Sequence, residues 1–425
     1  MSDLLTFLSH SYTRFHAVSS LTEELELAGY QRLTESKPWE LAVGGQYYVT
    51  RNGSALLAFR IPRADFTGFM ISASHSDAPT FRIKEHAEMT GGDGYVRLNT
   101  ERYGGMLMAP WLDRPLTVAG RVLVQTENAI ETRLVYIDRD LLLIPNLAIH
   151  MNRDANSGFS YDARCDTIPL MGMGDAKGSF RTLVAEAAGC REEDILGQDL
   201  FLCVRQKGLV WGAKNEFISA PHIDDLQCAY GCFCGFLNAA RSDSLPMYAL
   251  LDNEEVGSMT RQGADGTFLS DVVERICAAM GRERTSAIAN SFLVSADNAH
   301  AVHPNHPEYT DATHRPVMNG GVVIKHGTRY ATDGAAQAVF TALCKRAGVP
   351  VQHFSNRSDL MGGSTLGNIA NAHLSMSTVD IGLAQLAMHS CFETAGEQDT
   401  AYLVRALTAF YSASFAEENG SLYLR

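Results

Sequence analysis

Leu250-Leu251-Asp252-Asn253-Glu254-Glu255-Val256-Gly257-Ser258 is the point at which an apolar run of this chain gives way to a cluster of acids. Residues 247–251 are long enough for one buried strand, and residues 267–280 are predicted as a helix. Three carboxylates therefore lie at the end of a buried strand, where like charges repel and desolvation is costly. A multivalent cation is the simplest compensation, with Glu254 and Glu255 dividing the roles of ligand and base. Taken alone, such a stretch is more often a solvated acidic turn. Other parts of the chain must therefore distinguish a metal site from such a turn.

The composition indicates a globular protein of about two domains. Of the 425 residues, 46% are apolar, which is enough for a sizeable core. The net charge of -13 argues against nucleic acid or an anionic membrane as a partner, and no apolar run approaches the roughly 20 residues of a spanning helix. The first residues lack a basic segment and a cleavage site, so we expect no signal peptide. Nine cysteines without a Cys-x-x-Cys pair favour reduced thiols and a cytoplasmic location.

Two further apolar runs lead into candidate metal ligands. Residues 68–74 are followed by His75-Ser76-Asp77, and a third run ends just before Asp297. On an extended segment, His75 and Asp77 point to the same side. That spacing suits a metal-binding imidazole that is oriented by a neighbouring carboxylate. A hydrogen-bonded core histidine is the alternative interpretation of this motif.

Other candidates lie in predicted loops. Asp224 precedes a helix predicted over residues 227–240, so it either caps that helix or is a carboxylate shared by two cations. His389 follows the last predicted strand, where a lone histidine is most often structural. A rival ligand set consists of three histidines spaced three residues apart, His300, His303 and His306. Pro304 argues against a regular helix that would present all three together.

The alternation of strands and helices predicts an α/β fold, with a mostly parallel central sheet flanked by helices in an α/β/α sandwich. From residue 85 to 215, glycines, turns and short alternating segments predict an inserted, mainly β domain. We therefore assign residues 1–84 and 216–425 to one domain and residues 85–215 to the insert. Residues 392–415 are predicted as one long amphipathic helix. Because ligands of such sheets bind beyond the carboxyl ends of the strands, the candidate side chains are expected to meet there.

The candidates combine two imidazoles with four carboxylates: His75, Asp224, Glu254, Glu255, Asp297 and His389. This mixture of nitrogen and oxygen donors favours zinc, with manganese or cobalt as alternatives. The number of donors suits two cations that share one aspartate and leave one glutamate over as a base.

Six motifs occur in a characteristic order: His75-Ser76-Asp77-Ala78-Pro79, Ile223-Asp224-Asp225-Leu226, Asp252-Asn253-Glu254-Glu255-Val256-Gly257-Ser258, Ser295-Ala296-Asp297, Gly363-Ser364-Thr365-Leu366-Gly367 and Met388-His389-Ser390. Together they resemble the aspartyl-aminopeptidase-like family of dinuclear zinc aminopeptidases, and the resemblance runs over nearly the whole chain. Three departures leave the ligand motifs intact: Asp225 where the family often has Asn, Asn368 where it often has Pro, and Met361-Gly362 in place of a usual Pro-Cys-like segment. They bear instead on the shape and charge of the substrate pocket.

The resemblance implies a role for each residue of the site. It implies two Zn²⁺ per subunit with the following ligands: His75 and Asp297 for one ion, Glu255 and His389 for the other, and Asp224 as the bridge. Asp77 would orient the histidine of the first ion, and Glu254 would be the general base. His150 would reach the active site of a neighbouring subunit. Lys325 would meet an acidic group of the substrate, and Gly363-Ser364 would contact the substrate through the backbone.

The implied activity is hydrolysis of the N-terminal residue of peptides, by a water that bridges two metal ions and loses a proton to Glu254. An acidic N-terminal residue is one candidate preference. The inserted domain would mediate dimerisation, and the dimers would build a tetrahedral dodecamer. One alternative is an amidohydrolase on the same fold that removes acyl groups from amino acids, which would not need a free amine. The other is a non-catalytic assembly protein that keeps metal for structure, which would have no need of Glu254.

Overall fold

The computed structural model describes residues 3–360 and 362–425. Met1 and Ser2 of the N-terminal segment, and Met361 of the departure at Met361-Gly362, therefore lie outside the described residues. In the described part there are nine α-helices: α1 (Leu4–His10), α2 (Arg14–Leu27), α3 (Ser179–Ala188), α4 (Ile223–Asn238), α5 (Phe268–Met280), α6 (Arg284–Ala289), α7 (Gly334–Arg346), α8 (Leu366–His373) and α9 (Asp399–Tyr411). Short 3-10 turns cover Ala109–Trp111, Gly174–Ala176, Glu192–Asp194, Glu254–Val256 and Pro307–Tyr309.

The strands form four sheets. Those up to residue 204 are β1 (Gln31–Arg32), β2 (Gln46–Arg51), β3 (Ala55–Arg60), β4 (Phe69–His75), β5 (Thr80–Thr90), β6 (Tyr95–Tyr103), β7 (Leu116–Gln125), β8 (Ile130–Tyr136), β9 (Leu170–Met173) and β10 (Ile195–Val204). Those that follow are β11 (Leu209–Trp211), β12 (Phe217–Ala220), β13 (Leu245–Leu251), β14 (Phe292–Ala296), β15 (Ala299–His300), β16 (Val322–His326), β17 (Val351–Ser355), β18 (Ser377–Gly382), β19 (Ala384–Leu386), β20 (Glu393–Gly396), β21 (Phe415–Glu418) and β22 (Ser421–Leu424).

The central sheet has nine strands among the described residues, in the order β1-β2-β3-β13-β4-β14-β18-β16-β17. The α/β class is confirmed, and the sheet is mixed: five of its eight pairs of neighbouring strands are parallel and three are antiparallel. Its four middle strands, β13, β4, β14 and β18, are mutually parallel. Antiparallel pairs flank them, β3 with β13 and β16 with β18. One antiparallel pair has a local cause. Positive φ angles at Asn52 and Gly53 close a tight hairpin, which makes β2 antiparallel to β3.

Helices cover both faces of this sheet. Successive residues of β13 alternate between two separate cores, with Tyr248 and Leu250 in one and Ala249 and Leu251 in the other. Helices α2, α4, α7 and α9 contribute to the first core, whereas α5, α6 and α8 contribute to the second. Since both faces are buried, the middle strands read as continuous apolar runs, and this is why the sequence reveals them.

A second sheet, of order β8-β7-β10-β5-β6-β9, is built from strands between Thr80 and Val204. Its neighbouring strands are antiparallel, and together with α3 it encloses a core of its own. These strands arise from the stretch whose glycines and alternating segments predicted β structure.

A third sheet, β11-β12-β20-β19-β15, overturns the long helix predicted over residues 392–415. Residues Glu393–Gly396 form β20 between β12 and β19, and α9 begins only at Asp399. The amphipathic pattern of the segment is real, but pairing with β12, which is far away in the sequence, and with the nearby β19 holds its first residues extended. Among the residues described, no helix has both the length and the apolarity needed to cross a bilayer.

Candidate metal centre

Three neighbouring strands bring the predicted acids and His75 to one edge of the central sheet. Strand β4 lies between β13 and β14 and is parallel to both, and its last residue, His75, is in register with Leu251 of β13. The 3-10 turn Glu254–Val256 follows β13, and Asp297 follows β14 directly. His75 and Asp297 are both buried, as expected of residues beyond the ends of covered strands.

Asp224 and His389 approach the same edge from loops. Asp224 lies in the irregular first turn of α4 and is followed by a cis peptide bond to Asp225. His389 lies between β19 and β20 with a φ of 67°, a left-handed conformation that costs free energy in a residue with a side chain. Left-handed residues other than glycine are often found at functional sites, where the surrounding structure has to impose the conformation, as it does at His389.

The donor atoms of the six predicted residues form overlapping groups, and within each group all of them lie within 4.8 Å of one another. The groups are His75 with Asp224 and Asp297, Asp224 with Glu255 and His389, and His75 with Glu254 and Glu255. Asp224 lies between the two histidines: its Oδ1 is 3.7 Å from Nε2 of His75, and its Oδ2 is 3.4 Å from Nε2 of His389. Donors of one tetrahedral zinc ion are separated by about 3.3 Å, close to these distances.

Unpaired buried oxygens test whether this arrangement fits a metal. Asp224 Oδ1 and Glu255 Oε1 are buried and have no hydrogen-bond partner among the described residues. A buried carboxylate oxygen without a partner is costly, and a bound cation removes that cost. The arrangement of donors therefore fits zinc.

The electrostatics of the cluster favour a cation as well. Burial raises the pKa of Glu255 well above its usual range, and the Asp224 carboxylate raises it further. Burial likewise raises the pKa of Glu254 to about 7, with Asp297 and Asp77 as further causes. Asp224 is the exception: burial opposes its ionisation, but the nearby imidazoles of His389 and His75 hold its pKa below the usual range. Zinc binding would relieve the repulsion among these carboxylates.

Asp77 contacts the site in two ways. The Nδ1 of His75 lies 3.0 Å from the Asp77 backbone carbonyl and 3.5 Å from its carboxylate. Because a carbonyl oxygen only accepts, Nδ1 carries the proton and Nε2 is left for a metal. The Asp77 carboxylate instead accepts hydrogen bonds from the backbone amides of Glu254 and Glu255, at 3.1 and 3.2 Å.

Glu393 is a residue of the site that sequence reasoning missed. Its buried carboxylate accepts hydrogen bonds from the backbone amides of Asp224, at 2.9 Å, and of His389, at 2.8 Å. It thereby ties together two loops that carry candidate ligands. The helix predicted over residues 392–415 hid this role of Glu393, because a glutamate in an amphipathic helix is expected on the solvent-exposed face. Asp225 holds the backbone of another candidate ligand in the same way, because its carboxylate accepts a hydrogen bond from the backbone amide of His75 at 3.1 Å.

A cavity of about 380 Å³ opens onto the cluster. Its lining includes the three residues predicted to contact substrate, Lys325, Gly363 and Ser364. Lys325 is buried, and its Nζ lies 3.4 Å from Oδ2 of Asp297. Burial alone would lower the pKa of Lys325, but the Asp297 carboxylate raises it above the usual value, so the lysine is charged.

The remaining predicted histidines divide between the cavity and the surface. His150 is exposed and is not among the residues that line the cavity. All three histidines of the rival ligand set are exposed, and of these His300 lines the cavity, whereas His303 and His306 are not among its lining residues. None of these three belongs to a donor group in the described part of the chain.

Imidazole and carboxylate donors at the strand ends of an α/β sheet, beside an open cavity, define the class as a metallohydrolase. The family model described as "Aminopeptidase I zinc metalloprotease (M18)" matches residues 7–411. The chain therefore belongs to the M18 family of zinc metallo-aminopeptidases. It is a metal-dependent aminopeptidase, and the family predicted from the six motifs is confirmed.

Relatives and solved structures agree with this assignment. The chain is 43% identical over 422 residues to the probable M18 family aminopeptidase 2 of Clostridium acetobutylicum, a match that covers 96% of this chain and 98% of the relative. Its fold is similar to that in the cryo-EM structure of the Ape4 and Nbr1 complex, with a TM-score of 0.93, 34% identity and coverage of 96% and 85% of the two chains. It is also similar to the mApe1 dodecamer of S. cerevisiae, with a TM-score of 0.84, 31% identity and coverage of 96% and 95%.

Proposed function

We propose that this aminopeptidase uses two zinc ions per subunit and that Glu254 is its general base. One observation supports the division of labour between the adjacent glutamates. Glu254 lines the open cavity, whereas the Glu255 side chain is only 3% exposed and does not line it. A base has to reach the attacking water, whereas a ligand has to face the metal.

The donor groups support one assignment of the ligands. Following the two groups that contain Asp224, His75 and Asp297 would hold one ion, Glu255 and His389 would hold the other, and Asp224 would be shared. When bound, the zinc ions supply Lewis acidity, which lowers the pKa of water in the site and stabilises the developing oxyanion. The positions of the two Asp224 oxygens, each facing a different histidine, support the bridging role.

Glu254 then moves the proton between the two halves of the reaction. It accepts a proton from the attacking water and donates it to the nitrogen of the leaving amine. Burial raises the pKa of Glu254, which makes its carboxylate a better proton acceptor. The protonated α-amine of the substrate is attracted by the acidic groups around the cavity, so a free N-terminus is required.

A substrate panel tests this function. We expect the zinc-loaded protein to hydrolyse aminoacyl anilides, to stop when zinc is chelated, and to recover when zinc is restored. N-acyl amino acids, which lack the free amine, should not be cleaved. Cleavage of N-acyl amino acids would favour the amidohydrolase. Zinc binding without turnover of either substrate class, in an intact oligomer, would favour the non-catalytic assembly protein.

Lys325 supports a preference for acidic N-terminal residues. It is a buried cation in the wall of the cavity, beside Tyr330, whose ring centroid lies 5.8 Å from the lysine nitrogen. A substrate carboxylate that enters this cavity meets the charge of a buried lysine, and charge-assisted hydrogen bonds are stronger there than at the surface.

Replacing Lys325 with methionine is expected to lower kcat/KM for aspartyl and glutamyl anilides about 10- to 100-fold more than for leucyl anilide. The measurement is kcat/KM on the three substrates. Lys345→Met, at an exposed position on α7, is the matched control and should leave the ratios unchanged. An equal loss on all three substrates would mean that Lys325 serves only its ion pair with Asp297.

We further propose that residues 85–215 mediate dimerisation and that the dimers assemble into a dodecamer. Large apolar side chains in this stretch, among them Leu147, Ile149 and Met151, are exposed around His150. Exposed apolar residues concentrated in one segment are typical of an interface. The similar mApe1 of S. cerevisiae forms a dodecamer. In such an assembly His150 enters the neighbouring subunit's site and donates a hydrogen bond to the oxyanion.

Mixed assemblies test the role of His150. Subunits carrying His150→Ala and subunits carrying Glu254→Gln should each be poorly active alone. A dimer of one of each contains one site with both native residues, so co-assembly should restore up to about half of the wild-type rate. Native mass spectrometry verifies the mixed assembly, and the two variants kept separate are the control. No recovery in a verified mixture would place His150 outside the neighbour's site.

A further inference from the structure

Tyr103 joins the second sheet to the turn that carries the two glutamates. It is the last residue of β6, and its hydroxyl donates to Oδ2 of Asp77 at 2.7 Å. The same oxygen accepts hydrogen bonds from Nδ2 of Asn253, at 2.8 Å, and from Nη1 of Arg14. A phenol has one donor and two acceptor sites, so its capacity for hydrogen bonds is fully used.

Arg14, from the start of α2, supplies the positive charge of this cluster. Its Nη1 also lies 3.0 Å from Oδ1 of Asp252, and both side chains are almost completely buried. The guanidinium carbon lies 4.3 Å from the ring centroid of Tyr103 and 4.7 Å from that of Phe201, both in the second sheet. Removing one partner of a buried ion pair leaves the other charge uncompensated, which is strongly unfavourable.

Asp77 transmits these contacts to the glutamates. One of its carboxylate oxygens accepts from the amide of Glu254, and the other accepts from the amide of Glu255 and from Tyr103. We propose that Tyr103 and Arg14 are positioning residues, which hold the Asp77 carboxylate and, through it, the backbone of the Glu254–Glu255 turn in the geometry that zinc binding and proton transfer require. This inference rests on the roles proposed above for the two glutamates.

The segment that follows Tyr103 also packs against the metal site. Gly104 has a φ of 77°, and a Cβ atom at this position would lie 3.2 Å from Cβ of Glu255. The backbone amide of Leu107 donates to the carbonyl of His389 at 3.0 Å. The end of β6 and the loop after it thus contact both residues proposed to hold the second zinc ion, so the second sheet forms part of the frame of the active site.

Tyr103→Phe tests the proposal, because it removes the hydroxyl and keeps the ring. We expect kcat to fall about 10- to 100-fold, KM to change less than about threefold, and zinc to bind about tenfold more weakly. Zinc affinity is measured by titration against a competing chelator, without any peptide substrate. The visible spectrum of the cobalt-loaded protein reports the ligand geometry and should shift. A residue that only stabilises the fold would lower the melting temperature and leave these quantities unchanged.

The matched control is Tyr136→Phe. Tyr136 also lies in the second sheet, and its hydroxyl likewise accepts a hydrogen bond from an arginine, the half-buried Arg205, at 2.8 Å. It has no contact with the glutamate turn in the described structure, so kcat, zinc affinity and cobalt spectrum should match wild type. Arg14→Lys and Arg14→Met form a second pair: lysine should retain more activity and zinc affinity than methionine, since it keeps the charge.

The outcomes separate this proposal from the proposed function. If Tyr103→Phe equals Tyr136→Phe in kcat, zinc affinity and cobalt spectrum, the positioning role is wrong. If Tyr103→Phe does not fold, the two Arg14 variants decide by the same three measurements, and wild-type values in both reject the proposal. If wild type binds zinc but cleaves no peptide, the proposed function fails, and the zinc and cobalt measurements still test the positioning role.

Discussion

Replacing Glu254 with glutamine is expected to lower kcat about 10²- to 10⁴-fold while the zinc content stays at the wild-type level. Glutamine has the shape of glutamate but cannot take a proton from water at neutral pH. Zinc should remain because Glu254 belongs to only one of the three donor groups, whereas Glu255 belongs to two and is unchanged. The measurement combines initial rates on an aminoacyl anilide with zinc analysis by atomic absorption.

Glu274→Gln is the control for this substitution. Glu274 is exposed on α5, where it pairs with Arg284 at 3.2 Å, and its loss should leave both quantities unchanged. Near-wild-type turnover in the fully zinc-loaded Glu254→Gln protein would exclude Glu254 as the base. Loss of zinc together with activity would instead assign Glu254 to the ligands.

Asp224→Asn is expected to abolish binding of at least one zinc ion and to lower turnover by more than about 10³-fold. Each carboxylate oxygen faces a different histidine, and an amide keeps only one of the two oxygens. Its NH₂ group, which only donates hydrogen bonds, would point at one of the cations. The number of zinc ions per subunit, measured by mass spectrometry of the metal after dialysis, and the rate on an aminoacyl anilide test this together.

Asp225→Asn is the matched control, at the adjacent and equally buried position. In the described part of the chain, the Asp225 carboxylate accepts a hydrogen bond from the backbone amide of His75, and an asparagine oxygen can accept the same hydrogen bond. We expect this variant to keep its zinc. Two tightly bound zinc ions in Asp224→Asn would show that the aspartate is not shared.

Most of the elements around the site could be predicted from sequence because they depend on local patterns. The continuous apolar run of β13 predicted a buried strand, and the acids after it lie at the strand end as expected. The helix predicted over 267–280 is α5, Phe268–Met280. The prediction failed over residues 392–415, where hydrogen bonds to β12 and β19 outweigh a helical pattern.

The residues of the candidate site likewise divide into those that the sequence indicated and those that only the structure revealed. Sequence indicated each donor, since acids and histidines after apolar runs carry a visible chemical signal. It missed Glu393, Tyr103 and Arg14, whose positions in the sequence show nothing unusual. Glu393 lies 169 residues from Asp224, and Arg14 lies 238 residues from Asp252. Neither contact leaves a local pattern, because periodicity reports only which face of an element is buried.

The amino-acid sequence by itself determined the family, the buried strands and the chemical identity of the metal donors, because these depend on residue types and short spacings. The tertiary structure decided the mixed direction of the central sheet, the position of Asp224 between His75 and His389, and the contact of the second sheet with the glutamate turn. The physical reason is that strand order and loop packing are chosen by the free energy of the whole fold, in which pairs of residues more than a hundred positions apart compete for the same partners.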